Sequence, residues 1–302
     1  MEVSGGFTVS DVFPSLTWLH VLSGMRPKIE KMHHKVDKML ESIIDVHKVS
    51  RERAKKTKDE AEEEDLVDVL LKLQQREDFD FSVTNENVKA VILDIFTAGG
   101  ETSSITVEWA MSEMLKNPRV LEKAQAEVRQ IFRKKGKVDE KGMDELNFLK
   151  LVIKEVLRLH PPAPLLLPRE CQEKCEINGY EIPVKTRVVV NAWAIGRDPK
   201  HWTEADSFMP ERFVESSIDY KGANFEYIPF GAGRRICPGI TFGMANVVLP
   251  LANMLYHFDW KLPNGAKGED LDMTEKFGAT VSRKENLYVV PIAHRHCPLE
   301  KA

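Results

Sequence analysis

Cys237 lies in Phe230-Gly231-Ala232-Gly233-Arg234-Arg235-Ile236-Cys237-Pro238-Gly239, which gathers glycines, two arginines and one thiol at the head of an apolar stretch. Glycines without Cβ atoms let backbone approach a flat ligand closely. Pro238 is placed as the first residue of a helix, where its missing N–H costs nothing. A thiol at that helix start would feel the dipole and free N–H groups, which favour the anion. The chemistry indicated is a thiolate offered to a metal, with Arg234 and Arg235 adding positive charge. Without such neighbours a cysteine reads as a small buried hydrophobe.

Two further groupings carry chemistry. Ala98-Gly99-Gly100-Glu101-Thr102 sets a carboxylate and a hydroxyl directly after two glycines inside the longest helical pattern. Each glycine there costs about 1 kcal/mol relative to alanine. A carboxylate and hydroxyl beside a locally weakened helix can hold water and deliver protons; the plain alternative is a close helix crossing with a solvent-facing glutamate. Glu155 and Arg158 stand three apart before Pro161-Pro162, so they share a helix face and can pair.

The elements that position these residues are mostly helical. Ile29, Met32, Val36, Met39, Leu40, Ile43 and Ile44 give helical spacing over about 28–53, and Leu66, Val69, Leu70 and Leu73 suggest a second helix. The longest pattern runs from Val88 to Leu115. Asn117-Pro118 then caps and starts a helix reaching Phe132, and another spans about 148–159 before the two prolines stop it. The period changes afterwards. Asn178-Gly179 is a hairpin turn signal, while 187–191 and 286–292 are strand-like. The segment 196–227 is irregular. The fold class is mainly α with a minor β part.

With 302 residues, 42% hydrophobic and 30% charged, the chain has the composition of a globular protein with a large core. A net charge of −4 gives no general attraction to nucleic acid. Four cysteines in this length do not make a disulfide scaffold and fit a reducing compartment. Met1 opens no signal peptide. No charged residue lies between Arg235 and Asp259, a stretch long enough to cross a bilayer, but Asn246, Pro250, Asn253 and His257 interrupt it, so it reads as a buried core helix. Cys171 with Cys175, and His294 with His296 and Cys297, lack the spacing of common zinc motifs.

The spacing Phe230, Gly233, Arg235, Cys237, Gly239 resembles the haem-binding signature of the cytochrome P-450 family, the haem-thiolate monooxygenases, in a form like that of plant enzymes that hydroxylate terpenoids. The resemblance implies that Cys237 is the axial ligand of a haem b iron, whose thiolate favours O–O cleavage. It implies that Arg235 meets a haem propionate, with Arg169 as a second contact and Phe230, Gly231 and Gly239 shaping the loop. Ala98 to Thr102 resembles the family's oxygen groove, making Glu101 and Thr102 a proton-relay pair, although Asp is the commoner acidic residue there. Glu155 and Arg158 resemble the family's Glu-x-x-Arg motif, and Pro210-Glu211-Arg212-Phe213 supplies Arg212 to complete a buried structural network. Leu93, Ile95, Ala98, Ala163, Leu165, Leu166 and the stretch 277–281, with Ala279 and Thr280, imply a largely apolar substrate pocket.

The implied function is insertion of one oxygen atom from O2 into an apolar small molecule, a terpenoid by wording, with electrons from NADPH through a cytochrome P-450 reductase. The family's full-length members sit at the endoplasmic reticulum membrane, facing the cytosol. The resemblance covers nearly the whole chain but begins in the middle of the family's domain. Residues 1–302 are therefore expected to be the C-terminal portion of one such domain, holding pocket-roof helices, oxygen-groove helix, Glu-x-x-Arg helix, meander and cysteine loop, with the N-terminal anchor missing. The other expectation is a truncated, inactive remnant with weak or no haem binding.

Overall fold

The computed structural model describes residues 25–57, 64–76, 81–276 and 278–294. The chain divides into two compact units, Met1–Gly100 and Glu101–Ala302.

In the first unit, helix α1 (Met25–Thr57) and helix α2 (Leu66–Gln74) precede the start of helix α3 (Asn85–Lys116). Ile44, Val67, Leu71 and Val88 form a small buried cluster, the apolar stripes that the helical spacing required. Asp65 caps α2 by accepting from the Asp68 amide at 3.1 Å, while Asp68 accepts from the Asp65 amide at 3.4 Å. The remaining carboxylate oxygens face the His47 ring, 3.3 Å from Nδ1 to Asp68 and 3.5 Å from Nε2 to Asp65, which ties α1 to the start of α2. Lys89 bonds Asp37 at 2.7 Å and also pairs with Glu41, and these carboxylates hold its ammonium above the ordinary lysine range.

The second unit holds the main core. Around the C-terminal half of α3 pack helix α4 (Pro118–Phe132), helix α5 (Asn147–Leu159) and, further along, an apolar 18-residue helix over Ile240–His257. Trp109, Met114, Phe132, Leu149, Ile153, Leu251 and Leu255 are fully or almost fully buried among them. Burying each such side chain contributes about 1.5–3 kcal/mol. The expected core helix after the cysteine is therefore found, with Pro250 inside it, and among the described residues no helix is long and apolar enough to cross a membrane. Pro118 does start α4, but Asn117 does not cap it: its side-chain amide turns back to the Glu113 carbonyl at 2.8 Å and to the Glu113 carboxylate.

The β part consists of two-stranded antiparallel pairs. Strands β1 (Arg169–Glu170), β2 (Cys175–Ile177), β3 (Tyr180–Ile182) and β4 (Arg187–Val188) form the pairs β1–β4 and β2–β3. Asn178 (φ 51°) and Gly179 (φ 82°) make the tight hairpin turn that the Asn-Gly step predicts. The strand expected over 187–191 stops at Val188, because the Asn191 side chain accepts from the Ala194 amide at 2.9 Å and starts the one-turn helix α6 (Ala192–Ile195). Helix α7 (Ile240–His257) leads into β5 (Phe258–Lys261), and β6 (Glu275–Lys276) pairs with β7 (Ser282–Arg283). The last strand, β8, is Val290–Ala293 rather than 286–292, since the Leu287 amide is taken by the Glu108 carboxylate at 3.1 Å instead of a strand partner.

Candidate functional site

The cysteine loop is shaped by its backbone. The Gly231 amide donates to the Ile228 carbonyl at 2.9 Å, and the Cys237 amide donates to the Phe230 carbonyl at 2.9 Å, closing the loop on itself. Gly231 and Gly233 both sit at φ 72°, a conformation that side chains with Cβ resist. Phe230 is half-buried and meets Tyr220 edge to face at 5.5 Å. A short 3-10 turn over Gly233–Arg235 then delivers Cys237, which is half-buried and, among the described residues, unbonded to any other cysteine. Pro238 is not the first helical residue as expected. The chain makes a turn at Pro238-Gly239 and α7 begins at Ile240 with Gly239 as its N-cap, so the thiol stands three residues ahead of the helix. The two positive-φ glycines give the loop enough curvature to do this without a helical proline.

Beside the loop is an open cleft of about 910 Å³, lined by residues that include Leu167, Arg169, Arg234, Arg235 and Ile236. Arg169 and Arg235, both expected from the family resemblance as propionate contacts, share this cleft, and one Arg169 Nη donates to the Arg235 carbonyl at 3.3 Å. Leu166, strained at φ 51°, reaches the cysteine loop: a Cβ added to Gly231 would lie 3.8 Å from its Cδ1. The donor set fits an iron porphyrin: one thiol that would ligate the iron, two guanidinium groups that would meet its carboxylates, and a glycine-built loop beside them.

Glu155 and Arg158 of α5 are buried to the last per cent, with relative exposures of 0% and 1%. Arg158 grips both Glu155 oxygens at 2.7 Å and donates to the carbonyls of Gly196 and Ala205 at 2.6 Å and Ser207 at 3.1 Å. Arg212 Nε donates to Glu155 Oε1 at 2.8 Å, and its Nη groups reach the carbonyls of Thr203, Glu204 and Ser207. The Met209 amide adds one more donor to Glu155. The structure thus brings together the three residues expected to form a network.

Glu101 and Thr102 are half-buried on α3, which runs unbroken through Gly99 and Gly100; no local break accompanies the glycine pair. Among the described residues, a Cβ on Gly100 would meet nothing within 4 Å, so no close helix crossing is seen at that glycine. Glu101 Oε1 accepts from the Thr280 hydroxyl at 3.0 Å. The family resemblance implied a pocket-wall place for Thr280 and missed this pairing, which joins residues 179 apart. Neighbouring bonds fix the same segment: Trp109 Nε1 donates to the Val281 carbonyl at 3.1 Å, and the Val281 amide donates to the Pro162 carbonyl at 2.9 Å.

Of the other expected pocket residues, Ala163, Leu165 and Leu166 are half-buried, whereas Leu93, Ile95, Ala98 and Ala279 are exposed. Phe277, His296 and Cys297 lie outside the described residues. His294 pairs with Asp259 at 3.6 Å. Also missed was a buried group in which Trp109 stacks on His160 (3.9 Å, 3°) while His160 Nε2 meets Glu113 Oε1 at 2.7 Å. Its only sequence signal was a histidine immediately before two prolines.

The chain is similar to known proteins over most of its length. The family model described as Cytochrome P450 matches residues 6–290. The chain is 60% identical over 291 residues to a desmethyl-deoxy-podophyllotoxin synthase of Sinopodophyllum hexandrum, covering 96% of this chain and 57% of that protein. It is 59% identical over 288 residues to a premnaspirodiene oxygenase of Hyoscyamus muticus, covering 95% and 57%. The chain therefore spans a little over half the length of these curated relatives. Among solved structures, a zebrafish cytochrome P450 with progesterone superposes with a TM-score of 0.74 at 28% identity, over 88% of this chain and 59% of that one.

Proposed function

Since the chain belongs to the cytochrome P450 family, we propose that residues 1–302 are the C-terminal portion of one haem-thiolate monooxygenase domain. Such an enzyme inserts one atom of O2 into an apolar small molecule. The single observation that carries this reading is the cysteine loop: a half-buried thiol held by backbone geometry beside a cleft that carries Arg169 and Arg235.

Haem b, when bound, supplies the oxygen activation. Cys237 is the residue that would ligate the iron through Sγ, and Arg235 and Arg169 would neutralise its propionates. The Arg169 guanidinium is held against the cysteine loop by its bond to the Arg235 carbonyl. Glu101 and Thr102 form the relay pair of this reading. Glu101 Oε1 holds the proton of the Thr280 hydroxyl in the structure, so the carboxylate is oriented before any proton is passed. Glu155, Arg158 and Arg212 touch no reacting atom; they position the segment from Gly196 to Phe213. Half-buried Ala163, Leu165 and Leu166 supply apolar wall.

The substrate class of this reading is terpenoid, supported by likeness to the premnaspirodiene oxygenase. Electrons would come from NADPH through a flavoprotein reductase, with the whole protein at the cytosolic face of the endoplasmic reticulum.

The test is the reduced carbon monoxide difference spectrum of haem-reconstituted protein. A strongly red-shifted Soret band is expected, and Cys237→Ser should abolish it. An unshifted band in the parent would overturn the thiolate assignment. Absence of any haem band would favour the inactive-remnant reading.

A further inference from the structure

Cys171 and Cys175 stand outside everything above, yet their sulfurs are 3.8 Å apart, in van der Waals contact. Both are held by backbone that does not depend on the thiols. The Cys171 amide donates to the Thr186 carbonyl at 2.9 Å and its carbonyl accepts from the Lys185 amide at 2.8 Å, extending the β1–β4 ladder by one residue. Cys175 opens β2 and faces Ile182 of β3. The three residues between them form the turn from one ladder to the other, and the Cys171 thiol donates to the Glu173 carbonyl inside that turn at 2.8 Å. Two ladders thus set the two sulfurs side by side. The arrangement lacks a third metal ligand: among the described residues, the only cluster of three or more metal-capable groups is elsewhere, at His47, Asp65 and Asp68. A zinc site is therefore not what the pair builds.

We propose that Cys171 and Cys175 form a reversible disulfide, made and broken by exchange with small-molecule disulfides and thiols. Exposure sets the order of events, since Cys175 is exposed and Cys171 half-buried. The Cys175 thiolate attacks one sulfur of the small disulfide, forming a mixed disulfide and expelling one small thiolate. Cys171 then loses its proton to solvent, its sulfur attacks the Cys175 sulfur, and the second small thiolate leaves. The protein gives up two electrons and two protons, and the small disulfide becomes two thiols. At rest, the hydrogen bond with Cys171 pushes the Cys175 thiol above its ordinary range. Closing the bridge makes a five-residue ring between β1 and β2. That ring follows Arg169 by two residues and begins between Glu170 and Gln172, both of which line the cleft.

The full chain equilibrated with graded ratios of reduced to oxidised glutathione, acid-quenched, alkylated and digested with trypsin reads the bridge directly. Cleavage after Arg169, Lys174 and Lys185 separates the peptide over 170–174 from that over 175–185. A bridge retains them as one species lighter by two hydrogens than their sum. That species is expected to accumulate as the oxidised form rises, to disappear when reduced glutathione is restored, and to be absent in Cys171→Ser and Cys175→Ser. In Cys171→Ser, Cys175 should instead keep a glutathione adduct, because the displacing sulfur is gone. Recovery of both peptides singly across the whole range, or linkage of either to the Cys237 or Cys297 peptide in its place, would overturn the proposal. None of these readings requires bound haem.

Discussion

Two regions of the second unit use arginine and backbone carbonyls in opposite ways. Around Glu155 the charges are sealed: Arg158 and Arg212 spend their N–H groups on one carboxylate and on carbonyls from Gly196 to Ser207, and Arg158 stacks over Trp202 at 5.3 Å. Around Cys237 the charges are open. Arg234 and Arg235 are exposed, and the loop is shaped by its own amides and by two glycines at positive φ. The first region is a completed structure and the second a prepared surface. A buried charge network satisfied on every side stabilises the segments it joins only while all members are present. A loop held by backbone keeps its shape whatever side chain it presents.

The sharpest way to break the contrast is to remove the centre of the sealed region. Glu155→Gln keeps the volume but leaves Arg158 and Arg212 sharing a neutral amide, with a donor NH2 pressed against guanidinium groups. A loss of about 3–5 kcal/mol in denaturant unfolding is expected, the range for breaking a buried pair. A change below about 1 kcal/mol would show the network to be less sealed than its geometry.

Backbone closeness around the same network gives the next effect. A Cβ on Gly196 would lie 2.5 Å from the Arg158 carbonyl oxygen, a contact that only main-chain movement relieves. Gly196→Ala is therefore expected to cost about 1–3 kcal/mol, as overpacking does. Gly233→Ala, where a Cβ would meet nothing within 4 Å but φ is 72°, should cost about 1–2 kcal/mol from backbone strain alone. Thermal unfolding of the two variants separates the crowded region from the open one.

How much of this contrast was visible beforehand depends on sequence distance. Glu155 and Arg158 could be paired by spacing because a helix fixes i and i+3 on one face. Their carbonyl acceptors could not, since irregular chain from 196 to 209 has no period to read. The longest helix and the cysteine motif were legible for the same local reason. The Thr280 bond to Glu101 joins residues with no shared element, and the Trp109 bond to Val281 spans 172 positions. The start of α7 was misplaced because a proline suits a helix start equally well in the turn just before it, and only the loop's curvature decided between them.

A smaller effect tests the rim of the sealed region. Arg119 holds Glu211 by two bonds, 2.6 and 3.2 Å, and these lower the Glu211 carboxyl to about 2. A carboxyl depressed on folding contributes stability that is complete above its unfolded value near 4.5 and is lost as pH falls towards 2. Arg119 is largely exposed, so solvent screens the pair and the contribution at neutral pH is about 0.2–1 kcal/mol. The stability difference between the parent and Glu211→Gln should shrink to nothing between pH 4.5 and 2 in urea titrations. A difference unchanged at pH 2 would mean that packing, not charge, holds Arg119 to the short turn over Pro210–Phe213.

The smallest expected effect on stability falls at the most chemically loaded residue. Cys237 is half-buried, and the hydrogen bond that fixes its place is donated by its amide to Phe230, not by its sulfur. Cys237→Ser changes neither that bond nor the glycines that curve the loop, so haem-free protein should unfold within about 0.5 kcal/mol of the parent. A cost as large as that of Glu155→Gln would place the thiol among the members of a structural network. Near-equality would show that the loop keeps its form independently of the sulfur it presents, which is the property required of a ligand rather than of a core residue.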